Sequence, residues 1–355
     1  MKTYYLAVIS LFILCACDAT PDNTAETASP TAKKYQHAIL SFGTVIDVTV
    51  LSTDEALAQQ AFNTLDEDFE YWHRVWNPWL NGPLARVNSL IPTKAAFSLP
   101  LHLIPLIRQS QDYYQQSEGL FNPAIGQLIN LWRFHEHEKD NKQPPDKQQI
   151  DALVAANPSM QNLQLNNIQL QSDNESVQLN FGAFAKGFAI QRSIQTLKKL
   201  GIEQAVINAG GDLKVLGQHI DRAWRIGIRH PRDKQTVIAS VEASNEESVF
   251  TSGDYERYFI FNNTRYNHIL DPRTGYSANL SQSVTVIDND AGLADAAATA
   301  LFVAGPEHWH RIAQKMGIKF VMLVAANGDI HMNPAMAQRI QLNSQGASVT
   351  ISEKL

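Results

Sequence analysis

Two different spacings of apolar residues follow each other along the body of the chain. Spacings of three and four residues are typical of amphipathic helices, whereas alternation with β-branched residues is typical of strands. The predicted helices are 54–74, 101–116, 122–134, 147–156, 185–201, 291–304 and 306–316. The predicted strands are 37–51 with an interruption at Gly43, 177–181, 204–210, 213–217, 224–230, 236–243, 247–253, 258–262, 281–289 and 319–326.

The turns between the predicted strands define the fold class. Gly, Asn and Asp are frequent in the turns after residue 201, which favours antiparallel or mixed pairing over a doubly wound parallel sheet. Neither a G-x-G-x-x-G turn nor a G-x-x-x-x-G-K-[ST] loop is present, which argues against Rossmann and P-loop sites. We therefore expect an α+β fold with mixed, largely antiparallel sheets flanked by helices, in two intimately packed subdomains.

Two segments are predicted to be loops. Pro78, Gly82 and Pro83 interrupt residues 76–88, and residues 135–148 are polar and contain two prolines. His135 and His137 of the second loop could bind a metal, although two imidazoles in an exposed loop more often have no such role.

Composition excludes one class of partner. The chain has 355 residues, 44% of them hydrophobic, and a formal net charge of -6. It can therefore bury a sizeable core. Because there is no cluster of Lys and Arg, we do not expect a nucleic-acid partner.

The N-terminus is predicted to be an export signal. Lys2 precedes the apolar stretch 4–14, which is too short to span a bilayer comfortably, and Leu14-Cys15-Ala16-Cys17 resembles the lipobox of bacterial lipoproteins. We expect a signal peptide at 1–16, lipidation of Cys17 and a flexible tether at 17–34 before a body at 35–355. Ordinary cleavage after a small residue is the alternative.

The expected location follows from these features. Asp18 resembles the aspartate that retains lipoproteins in the inner membrane, so we expect an inner-membrane lipoprotein that faces the periplasm. Cys15 and Cys17 are the only cysteines, and without the signal peptide no thiol remains in the body for disulfides, thiolate chemistry or zinc.

The segment Asn180–Gly187, NFGAFAKG, joins a predicted strand to a predicted helix. The N–H groups and the positive dipole end at such a junction can hold a phosphate. A simple packing turn is the alternative. The pair Gly210-Gly211 has the same ambiguity, because glycines allow both a tight hairpin and close approach of a ligand.

Three further side chains are candidates for chemistry. His268 precedes the turn Asp271-Pro272-Arg273-Thr274-Gly275, where it could act as a base or be a structural histidine. Asp295 and Thr299 lie four residues apart in an alanine-rich helix and share one face, where two oxygens suit Mg²⁺. Capping by the aspartate and a buried threonine are the structural alternative. Trp76 and Trp79 could stack on a flat ring or lie in the core.

These segments together resemble the ApbE family, the FAD:protein FMN transferases. The resemblance runs from Ser41 to about Gly305. It rests on ordered motifs: NFGAFAKGFA, VINAGGDL, WRIGIRHPR, TSGDYERYF, HILDPRTG and ADAAATALFVAG. FNPAIGQLINLWRF is similar to the segment that precedes them in the family. Two positions depart from the family pattern, with Asn180 in place of an aspartate and Phe42 in place of a methionine.

The resemblance implies a reaction and a set of residues. FMN would pass from FAD to a threonine hydroxyl of a target protein, and AMP would be released with the help of one Mg²⁺. The metal ligands would be the carbonyl of Ala183, the carboxylate of Asp295 and the hydroxyl of Thr299, and His268 would be the base. The implied FAD contacts are Phe42, Trp79, Leu120, Phe121, Asn122, Asn180, Lys186 and Ile269.

The resemblance also implies partners. Threonines in subunits of the sodium-pumping NADH:quinone reductase, of Rnf-type complexes or of other extracytoplasmic flavoproteins would be the acceptors. Two alternatives stay open: a Mg²⁺-dependent FAD pyrophosphatase that yields FMN and AMP, and a noncatalytic FAD-binding lipoprotein.

Overall fold

The computed structural model describes residues 32–136, 143–343 and 347–355. The predictions for the signal peptide, the lipobox and His137 lie outside these residues. The helices are α1 (Glu55–Trp76), α2 (Pro83–Leu90), α3 (Ile104–Gln116), α4 (Gly126–Trp132), α5 (Lys147–Ala155), α6 (Ala185–Lys199), α7 (Ala291–Lys315) and α8 (Pro334–Arg339). The strands are β1 (Lys33–Ser41), β2 (Thr44–Ser52), β3 (Phe97–Ser98), β4 (Leu163–Asn166), β5 (Gln169–Ser172), β6 (Gln204–Ala209), β7 (Asp212–Leu216), β8 (Trp224–Arg229), β9 (Val237–Ala243), β10 (Ser248–Gly253), β11 (Tyr258–Phe261), β12 (Thr264–Asn267), β13 (Ser281–Asp288), β14 (Phe320–Ala325), β15 (Ile330–Met332), β16 (Ile340–Leu342) and β17 (Val349–Ile351).

A nine-stranded sheet organises the described chain. Its strand order is β1-β2-β6-β7-β10-β13-β14-β15-β17. Its pairs are antiparallel except β15 with β17. Smaller sheets have the orders β16-β9-β8, β3-β5-β4 and β11-β12. The predicted α+β class with largely antiparallel sheets is therefore confirmed.

Three apolar clusters hold these layers together. Phe69 of α1, Ile194 of α6 and Leu301 of α7 belong to a large buried cluster with residues of the nine-stranded sheet. Trp224 and Ile228 of β8 belong to a second cluster with large-sheet residues. The third cluster surrounds Trp132 and includes residues of α4, α5 and β11. Burial of apolar surface on both faces of the large sheet drives this arrangement.

The predicted interruption of 37–51 at Gly43 is confirmed, because Phe42 (φ 51°) and Gly43 (φ 73°) turn the chain and the two parts pair as the hairpin β1–β2. Two other predictions of local structure were wrong. Residues 177–181 make only one isolated parallel bridge, between Ile125 and Gln178. The predicted loop at 76–88 contains the start of α2. Pro83 begins that helix without loss, because the first helical N–H has no partner within the helix.

Two predicted boundaries also shift. Tyr35, the expected start of the body, lies inside β1, and the compact unit extends over Ala32–Leu355. The two helices predicted around residue 305 are continuous in α7 except for a kink at Gly305 (φ 69°). Pro306 follows this glycine, and a proline cannot supply an N–H to the helix. Among the described helices, none has the length and apolar character that crossing a bilayer requires.

Candidate active site

A cleft of about 2100 Å³ gathers most of the predicted site residues. This volume exceeds the roughly 300–1,000 Å³ of an ordinary small-ligand pocket, so the cleft has room for a dinucleotide and part of a second substrate. The predicted residues that line it are Phe42, Trp79, Leu120, Asn122, Asn180, Ala183, Lys186, His268, Ile269, Asp295 and Thr299. Residues distant in sequence thus share one site.

One prediction of ligand contact was wrong. Phe121 is fully buried and packs edge-on against Tyr113 and Phe184, so it does not line the cleft. Its neighbours Leu120 and Asn122 do line the cleft. The aromatic side chain at 121 is therefore part of the core that supports this wall.

The segment before α6 forms a polar turn at the cleft. The Asn180 side-chain oxygen accepts a hydrogen bond from the Gly182 N–H at 2.9 Å. The side-chain nitrogen of Asn180 is buried and has no hydrogen-bond partner among the described residues. Because leaving a buried donor unpaired is costly, this nitrogen is available to a bound ligand.

Helices α6 and α7 cross very closely beside this turn. The Gly187 N–H donates to the Asp295 carboxylate at 2.8 Å, and a Cβ on Gly187 would lie 2.2 Å from the Ala291 carbonyl oxygen. The Thr299 hydroxyl lies 3.2 Å from that of Ser252. Burial raises the pKa of Asp295 to about 7, against the opposing effect of Lys186.

Lys186 forms a partly buried ion pair with Asp212, which follows the double glycine. The other carboxylate oxygen of Asp212 accepts the Thr251 N–H at 2.9 Å. Burial lowers the pKa of Lys186, but the carboxylates of Asp212 and Asp295 outweigh it and the pKa is raised overall. Lys186 therefore carries a fixed positive charge, which can attract phosphate oxygens.

His268 follows β12, and its main-chain N–H donates a hydrogen bond to the Arg257 carbonyl at 3.1 Å. Burial, with smaller contributions from the cations Arg257 and Lys186, lowers the pKa of His268 to about 3. Its Nδ1 is buried without a partner in the described part of the chain. The imidazole is therefore neutral near pH 7 and can accept a proton.

Aromatic side chains form another wall of the cleft. Trp79 is 43% exposed, stacks on His135 with ring centroids 4.4 Å apart, and donates from its indole nitrogen to Asn130 at 2.8 Å. Trp76 instead lies mostly in the core and stacks on Phe42 at 6.2 Å. Relative to the described residues, Trp79 thus keeps part of its ring surface exposed at the cleft, as a stacking residue requires.

The donor set of the predicted metal site fits a hard cation. Ala183, Asp295 and Thr299 all line the cleft and offer a carbonyl, a carboxylate and a hydroxyl oxygen. Over residues 32–136, 143–343 and 347–355, no group of three or more His, Cys, Asp or Glu side chains could hold a metal. The predicted site contains only one side chain of these types, Asp295, because its other two ligands are a main-chain carbonyl and a threonine hydroxyl.

Sequence reasoning assigned no individual role to three residues of the site. Asp212, Ser252 and Arg257 line the cleft and contact or influence Lys186, Thr299 and His268 respectively. All three lie within motifs quoted above, VINAGGDL and TSGDYERYF. Their polar character was visible, but which predicted residue each would face depends on the sheet.

The fold and the cleft define a class of protein: an α+β enzyme whose polar cleft lies beside a crossing of two helices. The chain belongs to the ApbE family, whose sequence profile matches residues 42–322. The family predicted from the motifs is therefore confirmed.

Individual relatives agree with this assignment. A FAD:protein FMN transferase of Rhodobacter capsulatus is 38% identical over 315 residues, which cover 88% of this chain and 59% of the relative. A FAD:protein FMN transferase of Klebsiella pneumoniae is 31% identical over 323 residues, covering 89% of this chain and 96% of the relative. The crystal structure of the ApbE protein of Thermotoga maritima matches with a TM-score of 0.76 and 28% identity, covering 84% of this chain and 96% of that one. This chain thus spans less than two thirds of the Rhodobacter protein.

Proposed function

We propose that this protein transfers FMN from FAD to a hydroxyl group of a target protein and releases AMP. The observation that carries the proposal is the convergence of Lys186, His268, Asp295 and Thr299 on one cleft large enough for two substrates. Two relatives bear the name of this activity.

The diphosphate of FAD would bind near the positive charge of Lys186 and the polar turn at Asn180. We propose Mg²⁺ as the cofactor, held by the oxygens of Ala183, Asp295 and Thr299. When bound, this ion neutralises charge that develops on the diphosphate. The Gly187 N–H, which donates to Asp295 at 2.8 Å, fixes the direction of the carboxylate.

His268 would act as the general base. Because its imidazole is neutral near pH 7, it can take the proton of the acceptor hydroxyl as that oxygen attacks the FMN phosphorus. The bond between this phosphorus and the bridging oxygen breaks, and AMP leaves with the electron pair. The product is a flavin attached to the acceptor through a phosphoester.

We propose threonines of the sodium-pumping NADH:quinone reductase, of Rnf-type complexes or of other extracytoplasmic flavoproteins as acceptors. The proposed site of action is the periplasmic face of the inner membrane, reached through lipidated Cys17. The lipobox-like sequence at residues 14–17 and Asp18 support this location. The proposed acceptors are expectations from the family, and the proposed location is an expectation from the sequence.

A labelling assay tests the reaction. The purified protein is incubated with FAD, Mg²⁺ and the flavin-bearing subunit of a sodium-pumping NADH:quinone reductase, and covalent flavin fluorescence is measured in a denaturing gel. We expect labelling by the wild type and a loss of about 10²-fold or more for Asp295→Ala, because one electrostatic contact to developing charge contributes roughly this much.

Matched variants at the second side-chain ligand control for damage to the helix. Thr299→Ser keeps the hydroxyl and should retain most labelling, whereas Thr299→Val keeps the shape and should lose most of it. Free FMN without labelling would indicate a hydrolase, and unchanged FAD would indicate a carrier; either result overturns the proposal. Equal rates for Thr299→Val and Thr299→Ser would contradict the role of the hydroxyl.

A further inference from the structure

Among the residues that the structure describes, no strand covers the outer edge of β8, which lies in the cleft. Strand β8 is the terminal strand of the order β16-β9-β8, and all its residues from Trp224 to Arg229 line the cleft. An edge strand carries unpaired N–H and C=O groups that can bind another extended chain.

The register identifies the main-chain groups at this edge. The His230 N–H, just after β8, donates to the Thr236 carbonyl, just before β9, so alternation along β8 directs the main-chain groups of Ile228 and Ile226 toward β9. These two residues pair with Ala239 and Val241, and the extra residue of the bulge in this pair, Ile238, lies on β9 rather than on β8. The N–H and C=O groups of Arg225 and Gly227 consequently point away from β9, and neither residue has another backbone bond within the described ranges.

The large sheet forms a floor beside this edge. Gln36, Thr49 and Val206 are neighbours across β1, β2 and β6, and all three line the same cleft. Asp47 and Asn208 pair in a second row and also line it. The small sheet, which packs on the large sheet through Trp224 and Ile228, therefore leaves a polar trough alongside β8.

The predicted FAD contacts lie on other elements of the cleft. Trp79, Leu120, Asn122, Asn180 and Ile269 are outside β1, β6 and β8. A transferase needs a separate place for its second substrate, and the trough joins the same cavity as Asp295 and His268. The edge of β8 offers main-chain groups that can bind a polypeptide backbone, and the floor offers side chains that can bind the polar side chains of that polypeptide.

We propose that the acceptor protein presents its hydroxyl-bearing residue in an extended segment that pairs with the open edge of β8. This inference rests on the proposed function and adds how the second substrate is recognised. The Arg225 and Gly227 main-chain groups form the ladder with the acceptor. Arg225 and Lys234 have no ion-pair partner among the described residues, so an acidic residue near the acceptor hydroxyl would complement this edge.

A proline substitution tests the edge. Gly227→Pro removes one outward N–H, and an edge strand tolerates proline at such a position. Gly227→Ala is the matched control, because it keeps the N–H and adds a Cβ that meets only the Val237 side chain, at 3.3 Å. With the acceptor subunit used above, we expect KM for the acceptor to rise about tenfold or more in Gly227→Pro and less than threefold in Gly227→Ala. FAD affinity, measured by flavin fluorescence, should be the same in both variants.

Hydrogen exchange gives a second readout. Saturating acceptor should slow exchange of the Arg225 and Gly227 amides at least tenfold, whereas FAD alone should not. An unchanged acceptor KM in Gly227→Pro, or no protection of these amides, would overturn the inference while wild-type labelling still upheld the transferase. Protection that needs no acceptor and grows with enzyme concentration would overturn it by identifying a second copy as the occupant. If the wild type labelled no acceptor, the proposed function and this inference would both fail.

Discussion

At the scale of single residues, His268 shows how the fold sets a chemical property. The sequence left open a base or a structural histidine. In the structure, burial and the charges of Arg257 and Lys186 disfavour the imidazolium, and Nδ1 lacks a partner among the described residues. Negative charge from a bound diphosphate acts in the opposite direction, so substrate would move this pKa back toward neutrality.

We therefore predict that His268 does not titrate between pH 5 and 8 in the free protein. Its folded pKa is about 3, below the roughly 6.5 of an unfolded histidine, so the folded state stays neutral over this range. The measurement is an NMR titration in which the His268 resonance is assigned by its absence from His268→Gln. A histidine tripeptide in the same buffer is the control.

The lowered pKa of His268 also determines how the stability of the folded protein changes with pH. As pH falls from about 6.5 toward 3, the unfolded state binds a proton that the folded state does not, so His268 lowers stability over that window. His268→Gln should lose less stability on acidification than the wild type. A midpoint near 6.5 for His268 in the folded protein would contradict this description.

At the scale of elements, the crossing of α6 and α7 positions Asp295, a ligand of the proposed metal site. Gly187 has no side chain because the Ala291 carbonyl and the Asp295 Cβ occupy that space. The close approach also lets the Gly187 N–H reach Asp295. The motif AKGFA thus has a packing reason for its glycine.

Gly187→Ala should separate the two helices. We expect a loss of about 1–3 kcal/mol in the free energy of unfolding, typical of overpacking, together with weaker activation by Mg²⁺. Gly292→Ala in α7 is the control, since its Cβ would meet nothing closer than the Asp290 carboxylate at 3.3 Å. Urea denaturation of both variants measures the difference. Equal stabilities would mean that the helices can adjust without cost.

At the scale of the whole molecule, Asp254 joins three sheets around the cleft. It follows β10 of the large sheet and accepts two bonds, at 2.6 and 2.7 Å, from Arg232 in the loop between β8 and β9. Arg265 of β12 lies 3.6 Å from the same carboxylate. This buried carboxylate therefore fixes two cleft walls relative to the large sheet.

Asp254→Asn should loosen these walls. It keeps the shape but removes the charge-assisted pair, and we expect a loss of about 1–3 kcal/mol in stability. Faster amide exchange in β8, β9 and β12 than in α7 would locate the effect. Glu256→Gln removes the exposed partner of Arg229 and should cost no more than about 1 kcal/mol. A similar loss in both variants would contradict a special role for Asp254.

The local pattern of the sequence determined most of the helices and strands, because period and turn chemistry are local properties. It also determined that Asp295 and Thr299 lie on the same face of one helix. The ordered motifs identified the family for the same reason. Pattern also located the interruption at Gly43, although the reversal of the chain there into a hairpin depends on how β1 and β2 pair. The contact that the family resemblance implied for Phe121 was wrong, because an aromatic residue between two cleft residues can face the core instead.

Only the tertiary structure decided which distant residues meet. The contacts of Lys186 with Asp212, of Gly187 with Asp295 and of Thr299 with Ser252 depend on helix crossing and sheet order. The position of β8 at the end of the small sheet, among the described strands, likewise depends on the order in which distant strands pair. These features arise from long-range packing, where the free energy of burying apolar surface selects one arrangement among many with the same local pattern.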